Sequence, residues 1–190
     1  VGVSIGYRLS QEAQWPAQID DCKTAIRWLK ANASFHGTDP DRIAVFGTSA
    51  GGHLVAMLGV TGDRENIEGD DRSPQEVTSR VAAVIDFFGP TDLLTMNDHP
   101  SRIDHNAPDS PESQLIGGPI QENKDRARTA APMSYVSKDD SPILILHGMK
   151  DELVPYQQSV DFHAALLKAG VDSTFITVTE GGHGFGGPAI

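Results

Sequence analysis

Cysteine is nearly absent from this chain of 190 residues, and long hydrophobic runs are missing. The single cysteine, Cys22, excludes a disulfide framework within the chain, although it leaves the redox compartment open. The longest apolar stretches, such as residues 81–85 and 143–146, fall far short of the ~18 residues that cross a bilayer. The sequence therefore predicts no membrane span and no disulfide-stabilised scaffold.

Basic residues are also scarce. The chain has fifteen lysines and arginines and twenty-six aspartates and glutamates, which gives a net charge of −11 and a pI near 4.9. This balance works against binding of a phosphate backbone, so we expect no nucleic-acid partner. Residues 1–7 contain neither a basic region nor a small-residue cleavage site and do not resemble a signal peptide, so the localisation, secreted or cytoplasmic, stays unknown.

The remaining composition is that of an ordinary folded protein. Apolar residues make up 38% of the chain and charged residues 22%, which differs from the composition of disordered segments. Because domains commonly contain ~100–200 residues, residues 1–190 are expected to form a single domain.

Short β-branched runs alternate along the chain with amphipathic segments, a pattern typical of βαβ units and a mostly parallel sheet. The predicted strands are Val1–Tyr7, Ile43–Gly47, Val81–Phe88, Pro142–His147 and Thr174–Val178. The predicted helices are Pro16–Ala33, Ser49–Gly59 and Val154–Lys168, with Gly170 ending the last one. Cys22 lies on the apolar stripe of the first helix and is interpreted as a packing residue.

Two segments differ from this alternation. Residues 89–140 mix six prolines with Asn, Asp and Ser, which predicts an excursion of loops and short helices over one edge of the sheet, with the role of a lid or binding loop. Residues 63–74 are expected to form a polar loop with an acidic cluster at Glu65, Glu68, Asp70 and Asp71. Their spacing does not match an EF-hand, so we interpret them as a solvated surface rather than a calcium site.

One motif carries chemistry. Gly47-Thr48-Ser49-Ala50-Gly51 fits G-x-S-x-G and stands between a predicted buried strand and a predicted helix. This context indicates a strained turn that exposes the Ser49 hydroxyl above the sheet, with Gly51 and Gly52 allowing close packing on the helix side. The new helix directs its free N–H groups at the same point, and we expect the N–H of Ala50 to donate to an oxyanion.

A serine hydroxyl is a weak nucleophile and needs a base, which in turn needs an orienting carboxylate. Asp151 lies in the loop that follows the apolar strand at Ile143–Leu146, and His183 follows the last predicted strand. Because the site of an open α/β sheet lies at the carboxyl ends of its strands, Ser49, Asp151 and His183 are expected to converge.

Other titratable residues are weaker candidates. Glu152 and Asp86 are the alternatives to Asp151 as the acid, whereas Asp92 is interpreted as a helix N-cap. His53 is expected to pack into the scaffold, and His147 to order the acid loop. Surface solvation explains the other four histidines: His36, His99, His105 and His163. Four aromatic residues are expected to pack rather than line a pocket: Trp15, Phe87, Phe88 and Tyr135.

With these residues identified, the chain resembles the serine-hydrolase branch of the α/β-hydrolases, in particular bacterial esterases related to acetylxylan and feruloyl esterases and, more distantly, hormone-sensitive lipases. The matching stretches span nearly the whole chain: Gly6–Leu9, Pro16–Asp21, Asp39–Ile43, Gly47–Leu54, Phe88–Asp92, His147–Asp151, Val154–Pro155 and Gly181–Phe185. The resemblance implies a three-layer α/β-hydrolase fold and a carboxylesterase with Ser49 as nucleophile, His183 as base and Asp151 as acid. It further implies acetyl or feruloyl esters of carbohydrates as substrates, with no metal and no cofactor.

The sequence departs from that family in two ways. The family's upstream strands and its His-Gly-Gly loop, which completes the oxyanion hole, have no counterpart here, and neither has the helix after the catalytic histidine. We therefore expect a partial domain whose uncovered strand at Val1–Tyr7 favours a homodimer through an exposed sheet edge. Two other functions remain open: a serine peptidase similar to prolyl oligopeptidase, and a binding module of the same fold without catalysis.

Overall fold

The protein is described by a computed structural model that covers residues 1–62 and 76–185. The predicted acidic loop at residues 63–74 lies outside the described residues, as does the chain end at residues 186–190. Across the two described ranges, no helix combines the length and the apolar character needed to cross a membrane.

Four parallel strands form the sheet, in the order β1-β2-β3-β4. Their bounds are β1 (Ala44–Thr48), β2 (Ala83–Phe87), β3 (Ile143–Gly148) and β4 (Ser173–Val178). The predicted α/β class with a mostly parallel sheet is confirmed, and four of the five predicted strands are present within one or two residues of their expected ends.

The strand predicted at Val1–Tyr7 is wrong, because this segment pairs with no strand of the described sheet. Its β-branched side chains are largely in solvent, with Val1 92% and Val3 54% exposed. The segment is held at its end instead, where Arg8 donates from its backbone N and its guanidinium to the Asp21 carboxylate of the first helix. The edge strands of the described sheet are β1 and β4, and a homodimer through a sheet edge stays a prediction.

Six α-helices are present in the described residues: α1 (Ala17–Ala31), α2 (Ala33–His36), α3 (Ala50–Val60), α4 (Pro111–Ile116), α5 (Lys124–Thr129) and α6 (Gln157–Ala169). The long helices α1, α3 and α6 match the three predicted ones. Helix α6 ends as expected at Gly170, whose φ of 87° lies in the left-handed region that favours glycine.

The helices cover one face of the sheet. The strands lie in the sheet in the same order as in the chain, so every connection runs in the same direction across the sheet. Because crossovers between parallel strands are right-handed, these connections lie on one face. Val84 and Ile143 pack against Gly59 of α3 on this face. On the opposite face Phe46 is 59% and Ile176 45% exposed. The described residues thus provide the sheet and one helical layer of the fold.

The segment at residues 89–140 consists of α4, α5, short 3₁₀ turns and loops. It joins the neighbouring strands β2 and β3, and the N–H of Arg102 donates to the carbonyl of Glu152 in the loop after β3 at 2.7 Å. The segment therefore reaches the carboxyl edge of the sheet, and its role as a lid or binding loop stays a prediction. The N–H of Trp15 donates to the carbonyl of Leu115 at 2.9 Å, which ties the segment to the start of α1. Ile116 and Ile120 are fully buried in the main core cluster.

Candidate active site

Ser49 occupies a sharp turn between β1 and α3. Its backbone has φ 54° and ψ −118°, a conformation that non-glycine residues rarely adopt, as the motif predicts. The N–H of Ser49 donates to the carbonyl of Phe87 at 2.9 Å, and its own carbonyl accepts from His53 at 3.0 Å. These bonds fix both sides of the turn, so the strained backbone is held by the sheet and the helix.

Close packing at the turn requires two glycines. A Cβ at Gly47 would lie 2.2 Å from the carbonyl oxygen of Gly51, and a Cβ at Gly52 would lie 2.4 Å from Oδ1 of Asp86 and 2.9 Å from Cα of Gly89. A Cβ at Gly51 would meet no described atom within 4 Å. The predicted packing role is therefore wrong for Gly51.

The loops after β3 and β4 bring Asp151 and His183 to Ser49. Nδ1 of His183 donates to Oδ2 of Asp151 at 2.8 Å, and Nε2 of His183 lies 3.1 Å from Oγ of Ser49. The three residues named from the sequence therefore form one continuous hydrogen-bonded path. The side chain of His183 is 23% exposed, whereas that of Asp151 is fully buried.

Asp151 accepts hydrogen bonds on both carboxylate oxygens. Oδ1 accepts from the backbone N–H groups of Leu153 at 2.9 Å and Val154 at 3.0 Å, and Oδ2 accepts from His183 and from His147 Nε2 at 3.2 Å. Burial acts to raise the pKa of this carboxyl, but the donors from the two histidines and the backbone outweigh it and lower the pKa. Asp151 is therefore held as a carboxylate.

His147 orders the acid loop, as predicted from the sequence. Its ring is fully buried, with Nε2 close to Asp151 and 3.1 Å from the carbonyl of Val154. Both neighbours of Nε2 are acceptors, so this nitrogen carries the proton, and Nδ1 accepts from the hydroxyl of Ser159 at 2.7 Å. The Ser159 hydroxyl on α6 was not identified from the sequence.

Aromatic rings pack against His183. The ring of Phe88 lies 4.7 Å from that of His183 in an edge-on arrangement, and Phe185 lies 5.0 Å from Phe88. Phe88 is 4% exposed, in agreement with its predicted packing role. Sequence reasoning did not connect Phe88 with the base, although its position directly after β2 placed it at the site's edge of the sheet.

The first turn of α3 supplies the candidate oxyanion donor. Ala50 is the first residue of this helix, and the opening N–H groups of a helix have no partner within it. The N–H of Ala50 lies beside Ser49 at the positive end of the helix dipole, where a negative charge is stabilised.

The alternative acids have other environments. Asp86 is fully buried and accepts from the N–H of Gly89 at 2.9 Å, and burial raises its pKa to about 6. Glu152 forms an ion pair with Arg102 at 2.5 Å on the surface. Asp92 accepts from the N–H of Leu94 at 3.1 Å and closes a turn, so the helix N-cap predicted for it is wrong.

Besides His147, two further histidines outside the triad are buried. His53 packs on Trp15 and its Nε2 lies 2.6 Å from the carbonyl of Ala130, as expected for a scaffold residue. His105 is only 1% exposed, so its predicted surface location is wrong. Its Nδ1 lies 3.0 Å from Oε2 of Glu112, and its Nε2 lies 3.0 Å from the carbonyl of Leu153 in the acid loop.

A cavity of about 390 Å³ opens beside the turn. Its walls come from the N-terminal segment, α1, the start of α3, the loop after β2, and α4. Ala50, Leu93, Glu112 and Leu115 are among its lining residues. In the part of the chain that the structure describes, no group of three His, Cys, Asp or Glu residues is arranged to hold a metal ion.

Proteins of known structure are similar to this chain in fold and in sequence. A carbohydrate esterase from gut microbiota, solved in truncated form, is 41% identical to this chain and superposes with a TM-score of 0.89. The match covers 95% of this chain and 66% of the esterase chain. An acetyl ester-xyloside bifunctional hydrolase from Caldicellulosiruptor lactoaceticus is 27% identical with a TM-score of 0.74, covering 94% of this chain and 60% of its own.

Curated relatives are longer than this chain. The probable carboxylic ester hydrolase LipM of Mycobacterium tuberculosis is 35% identical over 162 residues, which are 84% of this chain but 36% of the relative. The BD-FAE family model matches residues 1–166. A match over that range, together with the shared architecture of the solved structures, establishes that the chain belongs to the BD-FAE family and has the α/β-hydrolase fold.

Proposed function

We propose that this chain hydrolyses carboxylic esters through an acyl-enzyme intermediate formed on Ser49. One observation carries the proposal: the hydrogen-bonded path from Asp151 through His183 to Ser49 at the strained turn. A buried carboxylate, an imidazole and a hydroxyl in this order are the arrangement needed to activate a serine nucleophile.

In acylation, Oγ of Ser49 attacks the ester carbonyl carbon while Nε2 of His183 accepts the hydroxyl proton. Asp151 keeps Nδ1 protonated and stabilises the imidazolium that forms. The N–H of Ala50 donates to the developing oxyanion. The tetrahedral intermediate then breaks its bond to the alcohol oxygen, which takes the proton from His183 as it leaves.

Deacylation repeats these steps with water. His183 accepts a proton from a water molecule as its oxygen attacks the acyl carbon, and the bond to Oγ of Ser49 breaks. The proton returns from His183 to Ser49, and the carboxylic acid is released. The chemistry is complete with these side chains and water, so we propose no metal and no organic cofactor.

For the substrate we propose short acyl esters of carbohydrates. The solved relative with 41% identity is a carbohydrate esterase, and a second is an acetyl ester-xyloside hydrolase. The partial exposure of His183 leaves the leaving-group side accessible to a large alcohol such as a sugar.

Hydrolysis of p-nitrophenyl acetate and of an acetylated xylo-oligosaccharide, compared with that of aminoacyl p-nitroanilides, tests the proposal. We expect turnover of the esters and little turnover of the anilides, because amide cleavage requires additional groups that anchor the peptide. Faster cleavage of the anilides would instead indicate a peptidase. Turnover of neither class would reject catalysis and favour a binding module.

A further inference from the structure

Oδ1 of Asp151 is held by two backbone N–H groups of the acid loop. The N–H of Leu153 donates to it at 2.9 Å and that of Val154 at 3.0 Å. Each of these N–H groups shares a planar peptide group with the carbonyl of the residue before it, so the bonds come from the peptide groups 152–153 and 153–154. The position of Asp151 therefore depends on how these two peptide groups are oriented.

The segment between β2 and β3 contacts the carbonyls of the same two peptide groups. The N–H of Arg102 donates to the carbonyl of Glu152 at 2.7 Å, and Nε2 of His105 lies 3.0 Å from the carbonyl of Leu153. A carbonyl only accepts, so Nε2 carries the proton of this bond. The hydroxyl of Ser101 lies within hydrogen-bond distance of both carbonyls, at 3.2 Å and 3.0 Å.

Two continuous paths of hydrogen bonds therefore reach Asp151 from outside the acid loop. One runs from the ring of His105 through the peptide group 153–154 to Oδ1. The other runs from the N–H of Arg102 through the peptide group 152–153 to the same oxygen. A hydrogen bond to the carbonyl of a peptide group strengthens the bond that its N–H donates. A donor at the carbonyl thus acts on Asp151 without touching it.

His105 is held in place within its own segment. It is 1% exposed, its backbone N–H donates to Oδ1 of Asn97 at 2.8 Å, and its carbonyl accepts from the hydroxyl of Ser110 at 2.9 Å. Nδ1 of the ring lies 3.0 Å from Oε2 of Glu112. A buried ring with these neighbours has little room to move away from the carbonyl of Leu153.

We propose that His105 is a positioning residue for the acid of the triad. Its Nε2–H holds the peptide group 153–154, and the N–H of that group holds Asp151 in line with His183. The inference rests on the proposed ester hydrolysis and adds a residue to its machinery. It also gives the segment between β2 and β3 a part in catalysis that requires no contact with the substrate.

His105→Met and His105→Gln form a matched pair of similar side-chain length, of which only glutamine offers an N–H near the position of Nε2. We expect His105→Met to lower kcat on p-nitrophenyl acetate about tenfold with KM changed by less than about twofold, as for the loss of roughly one hydrogen bond in the transition state. His105→Gln should restore kcat to within about threefold of the unsubstituted protein. Equal losses of kcat in both variants would show that the ring only fills space, which would overturn the proposal.

A measurement without turnover separates this proposal from the proposed function. The nitrogen NMR chemical shift of Nδ1 of His183 reports the hydrogen bond that this atom donates to Asp151, and it is detected through the carbon-bound protons of the ring. We expect this shift to change in His105→Met and to stay in place in His105→Gln. That result would support the positioning role even if no ester is hydrolysed. An unchanged shift in a folded His105→Met would reject it even if esters are hydrolysed.

His53→Met is the control for the loss of a buried imidazole. It removes a bond of the same kind, between Nε2 of His53 and the carbonyl of Ala130, which does not lead to Asp151. The nitrogen shift of His183 should therefore stay the same in His53→Met. A change as large as that in His105→Met would mean that loosened packing alone moves the triad, and the proposal would fail.

Ser101→Ala tests the same contacts if His105→Met does not fold. The Ser101 side chain is only partly buried, and its removal takes a hydroxyl away from the carbonyls of Glu152 and Leu153. We expect kcat to fall by about two- to threefold and the nitrogen shift of His183 to change. An unchanged kcat together with an unchanged shift would reject the proposal.

Discussion

Asp151 and His183 stand 32 positions apart in the sequence and are joined by a hydrogen bond of 2.8 Å between Oδ2 and Nδ1. The bond connects the loops that follow the neighbouring strands β3 and β4. Since parallel strands end at the same edge of the sheet, the fold itself brings the two loops together.

Asp151→Asn should lower kcat for ester hydrolysis by roughly 10²–10⁴, because an amide stabilises the wrong tautomer of His183 and does not stabilise its imidazolium. Steady-state kinetics on p-nitrophenyl acetate measures this effect. A variant within about twofold of the unsubstituted protein would show that Asp151 is not the acid.

The stability of Asp151→Asn should also depend on pH in a way that differs from that of the unsubstituted protein. The folded state lowers the pKa of Asp151, so its ionised form stabilises the fold above the ordinary carboxyl pKa, and this contribution is lost as pH falls through the lowered value. Urea unfolding should therefore show Asp151→Asn to be less stable at pH 7, with a difference that shrinks toward pH 3. A constant difference would contradict this linkage.

His147→Leu should lower kcat by roughly tenfold with little change in KM, since His147 acts on the reaction only through the position of Asp151. Removing the ring also leaves Ser159 without its partner in the core, which costs about 2–3 kcal/mol of unfolding free energy. Ser159→Ala removes only the hydrogen bond between the Ser159 hydroxyl and Nδ1 of His147. It should have a smaller effect on kcat and on the unfolding free energy. An unchanged kcat in a folded His147→Leu would mean that the acid loop holds its position without this ring.

The contribution of Asp86 to stability should depend on pH in the opposite direction from that of Asp151. Burial raises its pKa to about 6, so the folded state binds the proton more tightly than the unfolded state. Its contribution to stability is therefore present below about pH 4 and is lost as pH rises through about 6. Relative to Asp86→Asn, the unsubstituted protein should lose about 2–3 kcal/mol between pH 4 and pH 7. Parallel stability curves for the two proteins would contradict the raised pKa.

Adjacent glycines in α3 provide a matched pair. Gly52→Ala places a Cβ 2.9 Å from the backbone Cα of Gly89 and should reduce the unfolding free energy by at least about 2 kcal/mol. Gly51→Ala meets no described atom and should be neutral or stabilise the helix by up to about 1 kcal/mol. Denaturant unfolding of both variants checks the contrast, which equal stabilities would refute.

Much of the fold and the candidate site could be predicted because local signals agree with the architecture. The motif around Ser49 stands between a strand and a helix, and Asp151 and His183 each follow a strand, so topology alone makes them neighbours. Their catalytic roles stay predictions until they are tested by substitution.

The errors have physical causes. Residues 1–7 are β-branched, but a strand requires a hydrogen-bonded partner, which composition does not reveal. His105 lies in a polar, proline-rich segment that suggests a surface, and its burial depends on the distant acid loop and on Glu112. The close packing at Gly52 depends on Gly89, a residue of another loop that the local motif does not reveal.

Covalent labelling of the folded protein with a fluorophosphonate probe, located by mass spectrometry, tests the central claim most directly. The probe reacts with a serine only where a base activates it, and the distance of 3.1 Å between Ser49 Oγ and His183 Nε2 predicts that activation. We expect a single label on Ser49, none in Ser49→Ala, and much slower labelling in His183→Ala. Failure of Ser49 to react in the folded protein, or equal labelling of Ser49→Ala, would contradict the account.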